Sequence, residues 1–358
     1  MRVASLMAIG GLVLSAAACG DKPENNNGSS TNGGNKYKAC MVTDTGGIDD
    51  KSFNASAWKG LQDAKAENSN IEVKYVTSQA ETNYQPNLSA LVAEKCNLIF
   101  GVGGLMTDAI KAAATQNPTQ KFALIDGKVD EVPNVFDMEF NTAQAGYLAG
   151  YLAAGTSATG KVATYGGLKI PPVTIFLDGF AEGVAKFNQA KGKNVAVLGW
   201  NNVTQEGTFS ASFTDQNKGK QIADQFIAQG ADVIFPVAGG TGLGTAASAQ
   251  ASGGKVSVIW VDQDGCEAAS QYCSVFLSTV LKNIATAVKD ATIKGAGGDP
   301  LNGAFTGTLA NDGVGLAPYH DFDGKVSSEL KSEIEQLKKD IVDGKITIGS
   351  ASQPKPAN

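Results

Sequence analysis

Residues 37–76, YKACMVTDTGGIDDKSFNASAWKGLQDAKAENSNIEVKYV, carry the clearest structural signature in the chain. An apolar run at 39–43 passes through a turn of Gly and Asp into 50–67, where small and apolar residues recur at helical spacing. A second apolar run follows at 71–76, so the stretch reads strand, helix, strand. The rhythm continues with helix 84–94, strand 98–101, helix 106–115, strand 121–125 and strand 135–140. It restarts after a Gly/Ala-rich helix at 142–154. Strands are expected at 161–165, 195–199, 233–238 and 256–261, with helices at 172–188, 217–229 and 243–251. Short strands alternating with longer amphipathic segments predict an α/β fold with two doubly wound, mostly parallel sheets, one per lobe.

The remainder holds a run at 275–278, a helix at 281–293, short runs near Phe305 and Val314 and a helix at 327–342. These are too few strands for a third domain, so the chain is expected to cross back and complete both lobes. The expected boundaries are 37–142 plus about 278–300 for the first lobe, 143–277 plus about 301–349 for the second, and a tail at 350–358. No internal repeat is visible in the sequence.

The 358 residues are 42% hydrophobic and 18% charged, which is globular composition and excludes a disordered or fibrous chain. With 29 Lys and Arg against 35 Asp and Glu, the net charge of -6 supplies no attraction to nucleic acid phosphates. The single histidine, His320, leaves no chemistry that needs two imidazoles. A binding protein without cofactor or metal is the expectation.

At the N-terminus Arg2 precedes an apolar run of about 16 residues, 3–18, shorter than the roughly 20 that span a bilayer. It reads as a signal peptide. Ala16, Ala17, Ala18 and Cys19 resemble a bacterial lipoprotein cleavage box, with Ala16 where Leu is usual, so Cys19 is the expected lipidation site. Residues 20–35, GDKPENNNGSSTNGGN, contain no aliphatic or aromatic side chain to pack, which suits a flexible tether from a membrane anchor. Four further cysteines suit disulfides in an exported protein. Of three possible pairings, Cys40 with Cys96 and Cys266 with Cys273 is preferred: the first two each begin an apolar run, and the second two bracket a short polar loop.

Ligands of open parallel sheets bind beyond the carboxyl ends of the strands. Here those ends carry Asp44, the Gly101–Gly104 cluster, Asp126, the Gly239–Gly244 cluster and Asp262. One strand-terminal Asp is commonly a helix N-cap. Three of them with two Gly clusters on one rim describe a site for a neutral ligand rich in hydroxyl and amide groups.

Residues 42–54 (VTDTGGIDDKSFN), with Ala57, Trp58, Gly60 and Leu61, resemble the basic membrane protein family of bacterial lipoproteins, of the purine nucleoside receptor type. Further blocks of the resemblance are LIDG (124–127), FNTAQAGYLAG (140–150), DGFAEG (178–183), GADVIF and AGGTG within 230–242, and VDQD (261–264). Together they span nearly all of 37–318. The resemblance implies a type I periplasmic-binding-protein-like fold whose two lobes close on a nucleoside, as a monomer, and deliver it to an ABC permease with its ATPase. It implies that Asp44, Asn54 and Asp126 hydrogen-bond the base while Phe53 stacks on one face. Phe213 is the candidate for the other face, with Phe209 and Trp200 as alternatives in a stretch, 199–215, that departs most from the family pattern. Gly240, Asp262 and Lys282 would hold the ribose.

Three other readings compete. TDTGGIDD (43–50) resembles the calcium-binding aspartate motif of nucleoside hydrolases, but Val42 replaces an aspartate and an extra glycine breaks the spacing. Gly242, Gly244 and Ala247 fit G-x-G-x-x-A, with Asp262 about 20 residues on, but mid-chain in an exported protein. A sensing receptor without a permease would share the binding site.

Overall fold

The computed structural model describes residues 36–355. The expected signal peptide, Cys19 and its tether, and the last three residues, lie outside them.

The first lobe opens with β1 (Tyr37–Val42), α1 (Phe53–Glu67), β2 (Ile71–Val76), α2 (Tyr84–Ala93), β3 (Leu98–Val102), α3 (Thr107–Gln116), β4 (Lys121–Ile125) and β5 (Val135–Phe140). The chain then builds the second lobe from α4 (Thr142–Thr156), β6 (Lys161–Gly166), α5 (Pro171–Lys191), β7 (Ala196–Leu198) and a small hairpin of β8 (Trp200–Asn201) and β9 (Glu206–Gly207). There follow α6 (Gln216–Ala228), β10 (Val233–Val237), α7 (Gly242–Ala251), β11 (Ser257–Asp262), α8 (Gly265–Ala268) and β12 (Phe276–Lys282). Helix α9 (Ile284–Ala296), β13 (Ala304–Gly307), β14 (Val314–Leu316) and α10 (Ser328–Val342) complete the chain.

The two large sheets have the same order, β2-β1-β3-β4-β5-β13 and β7-β6-β10-β11-β12-β14, an internal repeat of structure that the sequence does not display. All pairings are parallel except β12 with β14. Strands β3 (LIFGV) and β10 (VIFPV) are apolar and buried throughout because helices cover both faces of each sheet. Pairing of β10 with β11 ends at Ile234, before Pro236, which has no N–H to donate.

The strand at 276–282 runs four residues past its expected end, and the lobe boundaries shift with it. Residues 278–282 belong to the second sheet, and β13, expected in the second lobe, pairs with β5 of the first. The chain therefore crosses between lobes after β5, after β12 and between β13 and β14. Asn141 N–H donates to Gly307 O at 2.8 Å and Asn283 N–H to Gly313 O at 2.9 Å, tying the three crossings into one hinge.

Helices α4 and α5 pack almost backbone to backbone. A Cβ on Gly150 would stand 2.0 Å from Phe180 O, and one on Gly183 2.0 Å from Tyr147 O, so the Gly/Ala-rich composition of this pair is a requirement of close approach. The cysteines are bonded as Cys40–Cys96, linking β1 to the start of β3, and Cys266–Cys273 around α8.

Candidate functional site

In each lobe the helices after the first and third strands lie on opposite faces of the sheet, which opens a crevice at their carboxyl ends. The two crevices face each other and enclose about 570 Å³, counting space open to solvent. That is within the range of small-molecule sites. Asp44, Phe53, Asn54, Asp126, Phe213, Asp262 and Lys282 all line this cavity. Gly240 does not: Gly239, one residue earlier and with φ of 52°, forms the wall, while Gly240 sits against the Phe213 carbonyl.

The first lobe contributes an ordered polar corner. Asp44 accepts from Gly46 N at 2.8 Å and from Asn54 Nδ2 at 2.8 Å through one oxygen, Oδ1. Asp50 accepts from the backbone N–H groups of Ser52, Asn54 and Ala55, ending the first turn of α1 as a carboxylate cap. Asn54 Nδ2 also reaches Asp50 at 3.1 Å, and its Oδ1 accepts from Asp44 N at 3.3 Å. The Asn54 amide is thus committed to holding two aspartates, and among the described residues no donor reaches Asp44 Oδ2.

Asp126 and Asp262 occupy corresponding places, each ending the fourth strand of its sheet, and both adopt left-handed backbone (φ 63° and 66°). Asp tolerates this region better than most residues, and at both places the left-handed step turns the chain out of its strand at the cavity wall. Lys282 ends β12 and pairs with Asp126 across the lobes, both nearly fully buried. Its ammonium lies over three rings, 5.1 Å from the centroid of Phe53, 5.2 Å from Phe176 and 5.7 Å from Phe140. No group among the described residues makes a hydrogen bond of normal geometry to the Asp262 carboxylate.

Four buried carboxylates around one ammonium cannot all be neutralised. Burial pushes Asp262 up to about 7, with Asp126 and Asp50 adding to the rise and Lys282 and the Ser52 hydroxyl opposing it. Burial likewise pushes Asp44 up to about 6, against the hydrogen bonds from Asn54 and Gly46. Asp50 and Asp126 are raised by burial too, the first restrained by its N–H donors and the second by Lys282. A ligand that donates hydrogen bonds to these oxygens would relieve that cost.

Of the three aromatics weighed for the second face, only Phe213 lines the cavity. It is seated on bare backbone, for a Cβ on Gly167 would lie 2.3 Å from its ring. Trp200 and Phe209 pack edge to face at 5.9 Å elsewhere in the lobe, and the Trp200 indole donates to Asp178. Lining residues that sequence reasoning missed include Asp50, Leu105, Ile170, Val173 and Phe176. Asp50 had a signal in the Asp-Asp pair before α1; the apolar ones look like any core residue. The cleft is shut: Trp260 Nε1 of the second lobe donates to Lys51 O of the first at 3.2 Å.

The glycines of the dinucleotide-like motif serve packing instead. A Cβ on Gly244 would meet Gln216 O of α6 at 1.9 Å, and one on Gly242 would meet the Trp260 ring at 2.8 Å. His320 lies outside the cavity, paired with Asp264 at 2.7 Å.

Two matching lobes, a three-stranded hinge and an interlobe cavity lined by aromatic rings and unspent acceptors define a solute-binding protein of the periplasmic-binding-protein type. Residues 37–352 match the family model described as "ABC transporter substrate-binding protein PnrA-like", and the chain belongs to that family. A Lactococcus lactis relative named "ABC transporter nucleoside-binding protein BmpA" is 33% identical over 96% of this chain and 99% of its own. Basic membrane protein A of Borreliella burgdorferi is 30% identical over 87% and 88%. Among solved structures, an ABC transporter solute-binding protein from Aeropyrum pernix K1 superposes with a TM-score of 0.78 at 26% identity, over 87% of this chain and 92% of that one. The chain is therefore a substrate-binding protein of an ABC transporter. No helix among the described residues is long and apolar enough to cross a membrane.

Proposed function

We propose that this protein captures nucleosides, purine nucleosides foremost, on the outer side of the cell membrane and passes them to the permease and ATPase of an ABC importer, held to the membrane by lipid on Cys19. The observation that carries the reading is the pairing of free acceptors with aromatic faces. Among the described residues Asp44 Oδ2 accepts no hydrogen bond and Asp262 none of normal geometry, while Phe53 and Phe213 wall the same cavity. A nucleoside supplies what such a cavity lacks: hydroxyl donors from ribose, N–H donors from the base and a planar ring to lie against phenyl faces.

In this reading Asp262 and Lys282 take the ribose, with Gly239 rather than Gly240 giving its backbone room, and Asp44 and Asp126 take the base edge. Asn54 acts by orienting Asp44. The chemistry is binding and release by hinge motion, with no bond made or broken. The L. lactis relative's name supports the ligand class.

Calorimetric titration of the protein, refolded to strip carried-over ligand, tests the reading against purine nucleosides, pyrimidine nucleosides, free bases and ribose. Micromolar or tighter binding of purine nucleosides, with ribose and free bases much weaker, is expected. Silence with every nucleoside would overturn it.

A further inference from the structure

The chain's one histidine stands beside its more accessible disulfide, outside the lining of the interlobe cavity. His320 Nε2 lies 2.7 Å from Asp264 Oδ2, and donor atoms of Asp264, Cys266 and His320 all fall within 4.8 Å of one another. Cys273 is bonded to Cys266, which brings a second sulfur to the edge of this cluster. Asp264 also accepts from Cys266 N at 3.0 Å through its other oxygen, which pins the carboxylate over the start of α8. Nothing in the binding of a nucleoside uses this group.

We propose that Asp264, Cys266, Cys273 and His320 form a redox-gated site for a thiophilic divalent cation, Zn²⁺ foremost, closed in the disulfide form and open in the dithiol form. Two sulfurs, one imidazole and one carboxylate make a four-donor set that suits tetrahedral zinc. In the disulfide neither sulfur is a thiolate, so the oxidised site offers only His320 and Asp264. Opening requires a two-electron reductant, and a dithiol is the natural one. Its two thiols pass two electrons to the Cys266–Cys273 bond, each sulfur leaves as a thiol bearing one of the reductant's protons, and the reductant becomes a disulfide. Zn²⁺ then displaces the two thiol protons.

Access separates the two disulfides of the chain. Cys40 and Cys96 are buried, at 0% and 2% exposure, whereas Cys266 and Cys273 are only half-buried and follow a solvent-facing loop. Attack by an external thiol therefore falls on the second pair. His320 is itself exposed, so its ring is the partner that can move outward to admit a metal beside the pinned Asp264 carboxylate.

The test reduces the intact protein with a phosphine under native conditions and titrates Zn²⁺ against a chromophoric chelator. Expected is one Zn²⁺ per reduced chain, held ~100-fold or more tightly than by the oxidised chain. Co²⁺ in its place should give thiolate charge-transfer absorption and the intense visible bands of a tetrahedral ion. His320→Gln and Cys273→Ser should each weaken binding ~10-fold or more, and a Cys40→Ala/Cys96→Ala variant should bind like the wild type. The proposal is overturned if the reduced chain takes up no metal, if oxidised and reduced chains bind alike, or if His320→Gln leaves the affinity unchanged.

Discussion

Lowering the pH from 8 to 5.5 should weaken nucleoside binding about 30-fold through Asp262 alone. In the ligand-free protein this carboxyl sits at about 7 because burial penalises its charge by more than Lys282 and the Ser52 hydroxyl offset. Two ribose hydroxyls donating to the charged form would hold it well below 5.5 in the complex. The complex then binds fewer protons than the free protein, so affinity is nearly full by pH 8 and is lost as pH falls through about 7. The free site is about 97% protonated at pH 5.5 and about 10% at pH 8, which gives the factor of about 30. Asp44, at about 6 and also short of donors, adds a further factor of about 4 with the same sign. The other charges facing Asp262 are Asp126, Asp50 and Lys282, of which the acids raise it and the lysine lowers it. Calorimetry at pH 6.5 in buffers of different ionisation enthalpy should register release of about one proton per nucleoside bound. Asp262→Asn should flatten the profile to the roughly fourfold dependence left by Asp44. A flat wild-type profile, or an equally steep one in Asp262→Asn, would refute the reasoning.

The same carboxyl costs stability, because its folded value lies above the ordinary 3.8, so stability falls as pH rises between about 3.8 and about 7. Ligand-free Asp262→Asn should melt a few degrees above wild type at pH 8, with about 4 kcal/mol as the ceiling, and the gap should narrow toward pH 5; a variant that melts lower at pH 8 counts against this. Lys282→Met leaves Asp126 buried without its partner and should cost about 3–5 kcal/mol in thermal or denaturant unfolding, much of it recovered by adding Asp126→Asn. No recovery in the double variant would mean that Lys282 stabilises through packing on Phe53, Phe140 and Phe176 instead. Phe53→Ala and Phe213→Ala should each weaken nucleoside affinity about tenfold with little change in melting temperature, and unchanged affinity in both would dismiss the stacking assignment. Trp260→Phe keeps an aromatic ring, though a smaller one, and removes the N–H that reaches Lys51 O; stopped-flow release should quicken about fivefold, and an unchanged off-rate would show that this contact does not hold the cleft shut.

Most of the polar lining of the candidate site was legible because strand ends in a parallel sheet have a fixed use, and Asp44, Asp126 and Asp262 stand at three of them. What the pattern could not show was where partners are spent. Asn54 looks like a free amide in sequence, yet it is engaged by Asp44 and Asp50. Phe176 looks like any apolar residue of a buried helix, and only the tertiary path of α5 brings it over the Lys282 ammonium. The lobe boundaries failed at FLSTVLKNIATAV (276–288), where apolar residues fit both the period of a strand and that of a helix. Ending the strand early assigned Lys282 to the wrong lobe. Gly240 and Gly239 are adjacent, and which of them turns into the cavity depends on a backbone angle that composition does not encode.

The interleaving of the lobes has a consequence for biogenesis. Strand β5 ends at Phe140, but its neighbour β13 begins only at Ala304, and α9, which covers α1, begins at Ile284. A chain emerging N-terminus first would expose β5 as an open edge, a template for wrong pairing, until nearly the whole polypeptide had been delivered. Truncation before about residue 304 would leave both sheets without their last strand, and truncation between β13 and β14 would still leave the second one open, so the two lobes can be completed only within about a dozen residues of each other, at the end of synthesis.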